Sequence, residues 1–258
     1  MKRGQPTGVA SGFTFVEIMI VLAVTGFLFV SVAVTFSGRQ QKSAFTTAAQ
    51  DIRLRIQQTI TEVSNGYFPS TNNFSCTSSA ANSITINAGG GGPSQGSNKP
   101  CVFLGKVMQF TTSGDPQPYY INTVAGYRAT VYTGLDNLDP TYVTPVREQL
   151  SLKNGLTFVS MKYNGGNISS VGFMYSLGAA DSNGDFATGA QHVDVYAITD
   201  SSSAFTANGD MNGQQLVSDG QGVQICFKSG GTDKYGIVTV GGQRGVTSAT
   251  LKITTACT

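Results

Sequence analysis

The chain has 258 residues, enough for one large domain or two small ones. Its 16 Lys and Arg against 14 Asp and Glu give a formal net charge of +2, without the strong basic excess of a nucleic-acid binder. Only 12% of residues are charged, about half the usual share, so the polar surface comes from Ser, Thr, Asn and Gln with 32 Gly in the loops, which suits an extracellular β-rich domain better than a cytosolic enzyme. His192 is the single His and there is no Trp, which excludes a His-rich metal site.

Met1–Gly12 reads MKRGQPTGVASG, a short polar leader with Lys2 and Arg3. From Phe13 to Phe36 follow 24 residues with one charge, Glu17. As a helix this run spans roughly 36 Å at 1.5 Å per residue, enough for a bilayer core of about 30 Å. Positive charge on the leader side holds the N-terminus in the cytoplasm and sends the C-terminus outward. A secretory signal peptide would have a shorter apolar core and an A-x-A-like site; only Ala33, Ser37 and Gly38 supply small residues near the end of the run. An ordinary signal anchor accounts for all of it except Glu17, because a carboxylate costs about 2.5–3.5 kcal/mol at a helix centre.

The junction Gly12-Phe13-Thr14-Phe15-Val16-Glu17 resembles the class III signal of type IV pilins and type II secretion pseudopilins. The resemblance implies that a prepilin peptidase cuts after Gly12, that Phe13 becomes the first mature residue and is N-methylated, and that Glu17 stands at the family's assembly glutamate. Cleavage would create an ammonium on Phe13 one helical turn from Glu17. In a staggered neighbour that ammonium can meet the Glu17 carboxylate, offsetting part of the cost of two charges in an apolar core. The competing reading is a Glu that snorkels to the membrane face and needs no partner.

Beyond Gly38 the pattern becomes amphipathic. Phe45, Ala48, Ile52, Ile56, Ile60 and Val63 recur at steps of three and four, one stripe on a 3.6-residue period. Arg39, Lys42, Asp51, Arg53 and Arg55 mostly lie off it. No Pro occurs between Phe13 and Phe68, so one helix of roughly 78 Å is expected from Phe13 to Ser64, stopped by Asn65-Gly66. Many major pilins carry a Pro in the first half of this helix; here Gly26 and Gly38 are the only weak points.

Past Pro69 short strands alternate with Gly, Ser, Asn and Pro turns. Expected strands are Ile84–Ile86, Val102–Phe110, Tyr119–Val124, Tyr127–Tyr132, Glu148–Leu152, Leu156–Tyr163, Ser170–Leu177, Val193–Ile198, Val223–Lys228, Tyr235–Val240 and Ala249–Thr254. Ala88–Asn98 is low-complexity and reads as a loop. The four cysteines allow three pairings. Cys76–Cys101 would close the glycine-rich loop and Cys226–Cys257 would tie back the last strand; an oxidising compartment favours both. A zinc site lacks a C-x-x-C pair and a second His.

Val223–Lys228 and Tyr235–Gly242 resemble the ending of the GspH/FimT group of minor pilins, where two late strands form a hairpin in the head's sheet. Asp181, Asn183 and Asp185 have the spacing of oxygen ligands in a calcium loop, but Phe186 stands where an EF-hand has Gly and no Glu fills its twelfth position, so a polar turn is the better reading. Asn208–Gly213 is read the same way. Tyr119-Tyr120 suits a strand. There is no phosphate loop or nucleophile motif.

The expectation is an α+β chain: a cleaved leader (1–12), a transmembrane and assembly half-helix (13–38), an amphipathic half-helix (39–65) and an antiparallel β-rich head (66–258). The resemblance implies a minor pilin, single-pass in the cytoplasmic membrane with an extracytoplasmic head and then part of an extracellular filament. Its partners would be the membrane, prepilin peptidase, the pilus assembly machinery and other pilin subunits. No cofactor and no enzymatic activity are expected. A type II secretion pseudopilin or DNA-uptake pilin would share the helix, and a membrane-anchored binding domain would not polymerise. Nothing in the sequence supports a surface ligand or extracellular DNA as a partner.

Overall fold

The computed structural model describes residues 12–66, 74–78, 84–88, 101–127, 138, 140–175, 192–199, 215–217, 220–231, 233–241 and 247–257. One helix, α1 (Phe15–Ser64), is followed by strands. The chain divides into two compact units, Met1–Ala44 and Phe45–Thr258.

In the first unit, every described residue from Gly12 to Val32 is exposed. Phe15–Val32 is long and apolar enough to cross a membrane by length and composition. The hydroxyls of Thr25 and Ser31, set among apolar side chains, donate to the carbonyls of Val21 and Leu28, both at 2.8 Å, and so need no outside acceptor.

In the second unit, the expected stripe is buried at all six positions, Phe45, Ala48, Ile52, Ile56, Ile60 and Val63, joined by Ala49 and Thr59. The helix ends as Asn65-Gly66 leads one to expect. Gly66 takes φ +62°, and its N–H donates to the Val63 carbonyl.

The strands are β1 (Phe74–Ser78), β2 (Ile84–Ala88), β3 (Cys101–Phe110), β4 (Pro118–Tyr127), β5 (Thr141–Tyr142), β6 (Glu148–Ser151), β7 (Leu156–Tyr163), β8 (Gly166–Asn167), β9 (Ser170–Tyr175), β10 (Val193–Ile198), β11 (Gln215–Leu216), β12 (Gly222–Ser229), β13 (Tyr235–Gly241) and β14 (Ser248–Thr254). All pairings are antiparallel. They make a β1–β2 ribbon, a seven-stranded sheet ordered β11-β10-β9-β3-β4-β5 with β6 also on β4, and a five-stranded sheet ordered β14-β13-β12-β7-β8. The late hairpin β12–β13 is present, but the head carries two main sheets rather than one. Their inner faces and the α1 stripe share one core: Ile52, Ile56 and Ile60 from the helix, Met108, Ile121 and Phe173 from the larger sheet, and Met161, Ile225 and Val238 from the smaller. Phe110 stacks on Tyr119 and Phe158 and meets Phe227 edge-on. A second cluster, Leu104, Val107, Val124, Leu138, Met174 and Ile198, is built on the other face of the larger sheet.

Tight turns form where two consecutive residues accept positive φ. Asn154-Gly155 (φ 54° and 67°) carries the chain from β6 in the larger sheet to β7 in the smaller, and Asn164-Gly165 (φ 49° and 81°) makes the β7–β8 hairpin. The outer strand β14 is met by the helix: Arg53 Nε donates to the Ala249 carbonyl at 2.8 Å, and the Ala249 N–H donates to Gln57 Oε1 at 3.1 Å.

One strand expectation is corrected. Tyr119–Val124 and Tyr127–Tyr132 read as two strands broken at Ala125-Gly126, whereas β4 runs unbroken through Gly126 to Tyr127; residues 128–132 lie outside the described residues. Gly126 is in the strand to make room, not to turn the chain, since a Cβ there would stand 2.6 Å from both the Leu138 carbonyl oxygen and Leu104 Cδ1. Short strands β1, β5, β8 and β11 were not anticipated.

Candidate functional site

The N-terminal junction starts with chain that has not yet become helix. Gly12, Phe13 and Thr14 precede α1, and Phe13 is 80% exposed. Thr14 is the residue before the first helical position, and Glu17 is the third. Glu17 N–H lies 3.3 Å from Thr14 Oγ1, while Thr14 N–H and Oγ1 lie 3.4 and 3.5 Å from Glu17 Oε2. This is the reciprocal arrangement of a capping box, T-x-x-E, in long and therefore weak contacts. It was legible in Thr14-Phe15-Val16-Glu17 but hidden by the overlapping resemblance. Within the chain Glu17 thus has a local job, finishing the helix start, and its carboxylate lies at the same end of the helix as Phe13.

A second group of charges was not legible at all. Lys106, in the middle of β3, is 1% exposed, although lysine almost never is buried unless paired. It lies on the strand face shared by Met108 and Phe110, which belong to the core with the α1 stripe. Its Nζ is 2.5 Å from Glu62 Oε2 on α1 and 4.0 Å from Glu148 Oε1 on β6. Glu148 in turn accepts a bond from Arg55 Nη2, about two turns before Glu62 on the same face of α1. The result is a string of alternating charges, Glu62–Lys106–Glu148–Arg55, in which the lysine is the most deeply buried member. Such a string helps fix where the helix meets the larger sheet, because a slip of one turn would carry Glu62, the nearest carboxylate, away from the buried Lys106.

The four cysteines pair as expected. Cys76–Cys101 links the β1–β2 ribbon to the first residue of β3, and Cys226–Cys257 links β12 to the chain after β14, with Cα separations of 6.3 and 5.9 Å, both within the normal range for a disulfide. Non-reducing peptide mapping of exported protein is expected to recover these two linkages. Replacing either pair by serine is expected to cost about 3–4 kcal/mol for loops of this length, read as a lower unfolding midpoint in denaturant; an unchanged midpoint would show that the bridge is dispensable.

The weak calcium candidates Asp181, Asn183 and Asp185 lie outside the described residues, as does Asn208–Gly213. Among the described residues no three His, Cys, Asp or Glu side chains come together in a way that could hold a metal ion. His192 Nε2 is 3.1 Å from Asp194 Oδ1 at the start of β10. Of the paired tyrosines, Tyr119 is buried in the core and Tyr120 lies under the Arg147 guanidinium, 3.7 Å from ring centre. Burial pushes the Tyr119 phenol above its ordinary value; Arg55 partly opposes the shift, and Asp51 and Glu148 add to it.

Comparison of the chain with protein-family models, with curated proteins and with solved structures finds no match.

Proposed function

We propose that this chain is a structural subunit, a minor pilin, of a type IV pilus-like extracellular filament. In this reading it is held in the cytoplasmic membrane by α1, processed after Gly12, and assembled through the apolar half of the helix with its head outside. The observation that carries the reading is the junction itself: a basic leader, Gly12-Phe13, and a lone Glu17 at the start of a long apolar run. The wholly exposed apolar surface of Phe15–Val32 supports it, since such a surface demands a cover, first lipid and then the same segment of neighbouring subunits. The two disulfides and the low charge density fit a head that works outside the cytoplasm. The role is one of building rather than catalysis.

Processing tests the proposal. Intact-mass and N-terminal peptide analysis of the mature protein is expected to give a chain beginning at N-methylated Phe13. Gly12→Leu is expected to block the cut, because the peptidase would have to accept a bulky side chain in place of hydrogen. A mature chain that still begins at Met1, or that begins near Gly38, would overturn the assignment.

A further inference from the structure

A cleft of about 960 Å³ opens in the second unit where segments far apart in sequence meet: α1, the β3–β4 loop, the turn before β7 and the turn after β12. Its volume lies at the upper end of the roughly 300–1,000 Å³ typical of ligand pockets. The walls are tied together by main chain. The Leu152 N–H donates to the Gln117 carbonyl at 2.9 Å, the Phe158 N–H to Gln117 Oε1 at 2.6 Å, and the Gly230 N–H to the Gly155 carbonyl at 2.9 Å. Three of the four walls, all but α1, are therefore held to one another by hydrogen bonds.

The lining is amphipathic and its charges are incompletely used. Lys153 Nζ sits 3.5 Å from Asp51 Oδ2 with side chains 72% and 54% exposed, so solvent screens the pair and an incoming charge can replace either partner at little cost. Arg55 donates through Nη2 to Glu148, while its Nε is buried and finds no acceptor among the described residues. That buried Nε is out of a ligand's reach, but the Arg55 side chain is 21% exposed and lines the cleft; a guanidinium carries five donors, and those that reach the cleft are suited to a carboxylate or carbonyl oxygen. Asp115, across the cleft in the β3–β4 loop, makes no ion pair among the described residues. Tyr119 and Leu152, 5% and 3% exposed, form the inner wall.

These features select among ligand classes. Two cationic and two acidic side chains give no net charge, which disfavours a polyanion. The inner wall offers no flat exposed aromatic face on which a sugar ring could stack. A peptide supplies what is missing: an acidic group for Arg55 and Lys153, a basic one for Asp51 and Asp115, an apolar side chain for the inner wall, and main-chain amides for the rest. We propose that this cleft binds a short peptide segment of mixed charge, centred on an apolar side chain and presented by a partner protein. The inference stands independently of the filament reading.

The test is titration calorimetry on the full-length protein in detergent micelles with four probes. These are blocked tripeptides of lysine-leucine-aspartate and of the reverse order, a neutral glutamine-leucine-asparagine tripeptide, and maltotriose. At least one mixed-charge peptide is expected to bind saturably and at least tenfold more tightly than the neutral one. Lys153→Glu and Asp51→Lys, at exposed positions where the fold tolerates them, are each expected to weaken it at least tenfold with the unfolding temperature unchanged. The wild-type comparison stands even if a variant unfolds. Equal binding of neutral and mixed-charge peptides, saturation by the saccharide with the peptides silent, no saturable binding at all, or full affinity in both folded variants would each overturn the proposal.

Discussion

Glu17→Gln is expected to leave the protein in the membrane at its normal level and to remove it from filaments. Gln fills the third position of a capping box as Glu does, so the contacts with Thr14 can persist. What is lost is the charge that would face the Phe13 ammonium of an adjacent subunit. Removing one partner of a buried pair typically costs about 3–5 kcal/mol, which in an assembly equilibrium is roughly a hundredfold to several thousandfold. Glu17→Ala also loses the carboxylate's half of the box, a weak contact at 3.4–3.5 Å, while the Thr14 hydroxyl still faces the residue-17 N–H; it should therefore do no better than Gln in filaments and at most slightly worse in the membrane pool. Comparing membrane and sheared-filament fractions for the two variants separates the roles. Wild-type incorporation of Glu17→Gln would mean that the carboxylate serves the cap or the membrane face and does not set the register of subunits.

The largest effect on the head is expected from Glu62. Glu62→Gln takes from the buried Lys106 its nearest carboxylate and leaves Glu148 at 4.0 Å, already engaged with Arg55. The expected loss is about 3 kcal/mol, or roughly 6–12 °C in the unfolding midpoint for a unit of this size. Lys106→Met should cost less. It removes the most buried charge, and the carboxylates it leaves, 19% and 39% exposed, can still reach water. The double variant Glu62→Gln/Lys106→Met is expected to recover most of what Glu62→Gln loses, since replacing both members of a buried pair by neutral groups is often close to neutral. Thermal unfolding of the three variants measures this. Additive losses in the double variant would show that Glu62 and Lys106 act separately and that the string is not a unit.

How far the sequence carries the fold depends on what each element buries. The α1 stripe was legible because its period is that of a helix, and its end because Asn65-Gly66 is a stop. Leu156–Tyr163 and Val193–Ile198 match their strands end to end. The break assigned at Gly126 failed because a glycine that makes room for a neighbouring strand looks, in sequence, like one that turns the chain. β1, Phe74–Ser78, has one large apolar residue among Ser, Cys and Thr, so no alternation announces it. Lys106 defeats reading for a deeper reason. A lysine in a strand reads as a surface residue, and its burial follows from Glu62 and Glu148, which lie 44 residues before it and 42 after it in sequence. The cleft is likewise made by segments that only the sheet order brings together.

The two bonds from α1 to Ala249 bear on what many copies of this chain would do side by side. β14 is the last strand of its sheet, and a last strand is a template on which a foreign strand can add. Here Arg53 and Gln57 already take the outward carbonyl and N–H of Ala249, and past Thr254 the chain is tied back to β12 through Cys257. The free stretch between is too short to seed a growing β-ribbon. At this edge, copies brought side by side are hindered from joining strand to strand, a route to irreversible aggregates, and contact there is left to side chains that can meet, part and meet again.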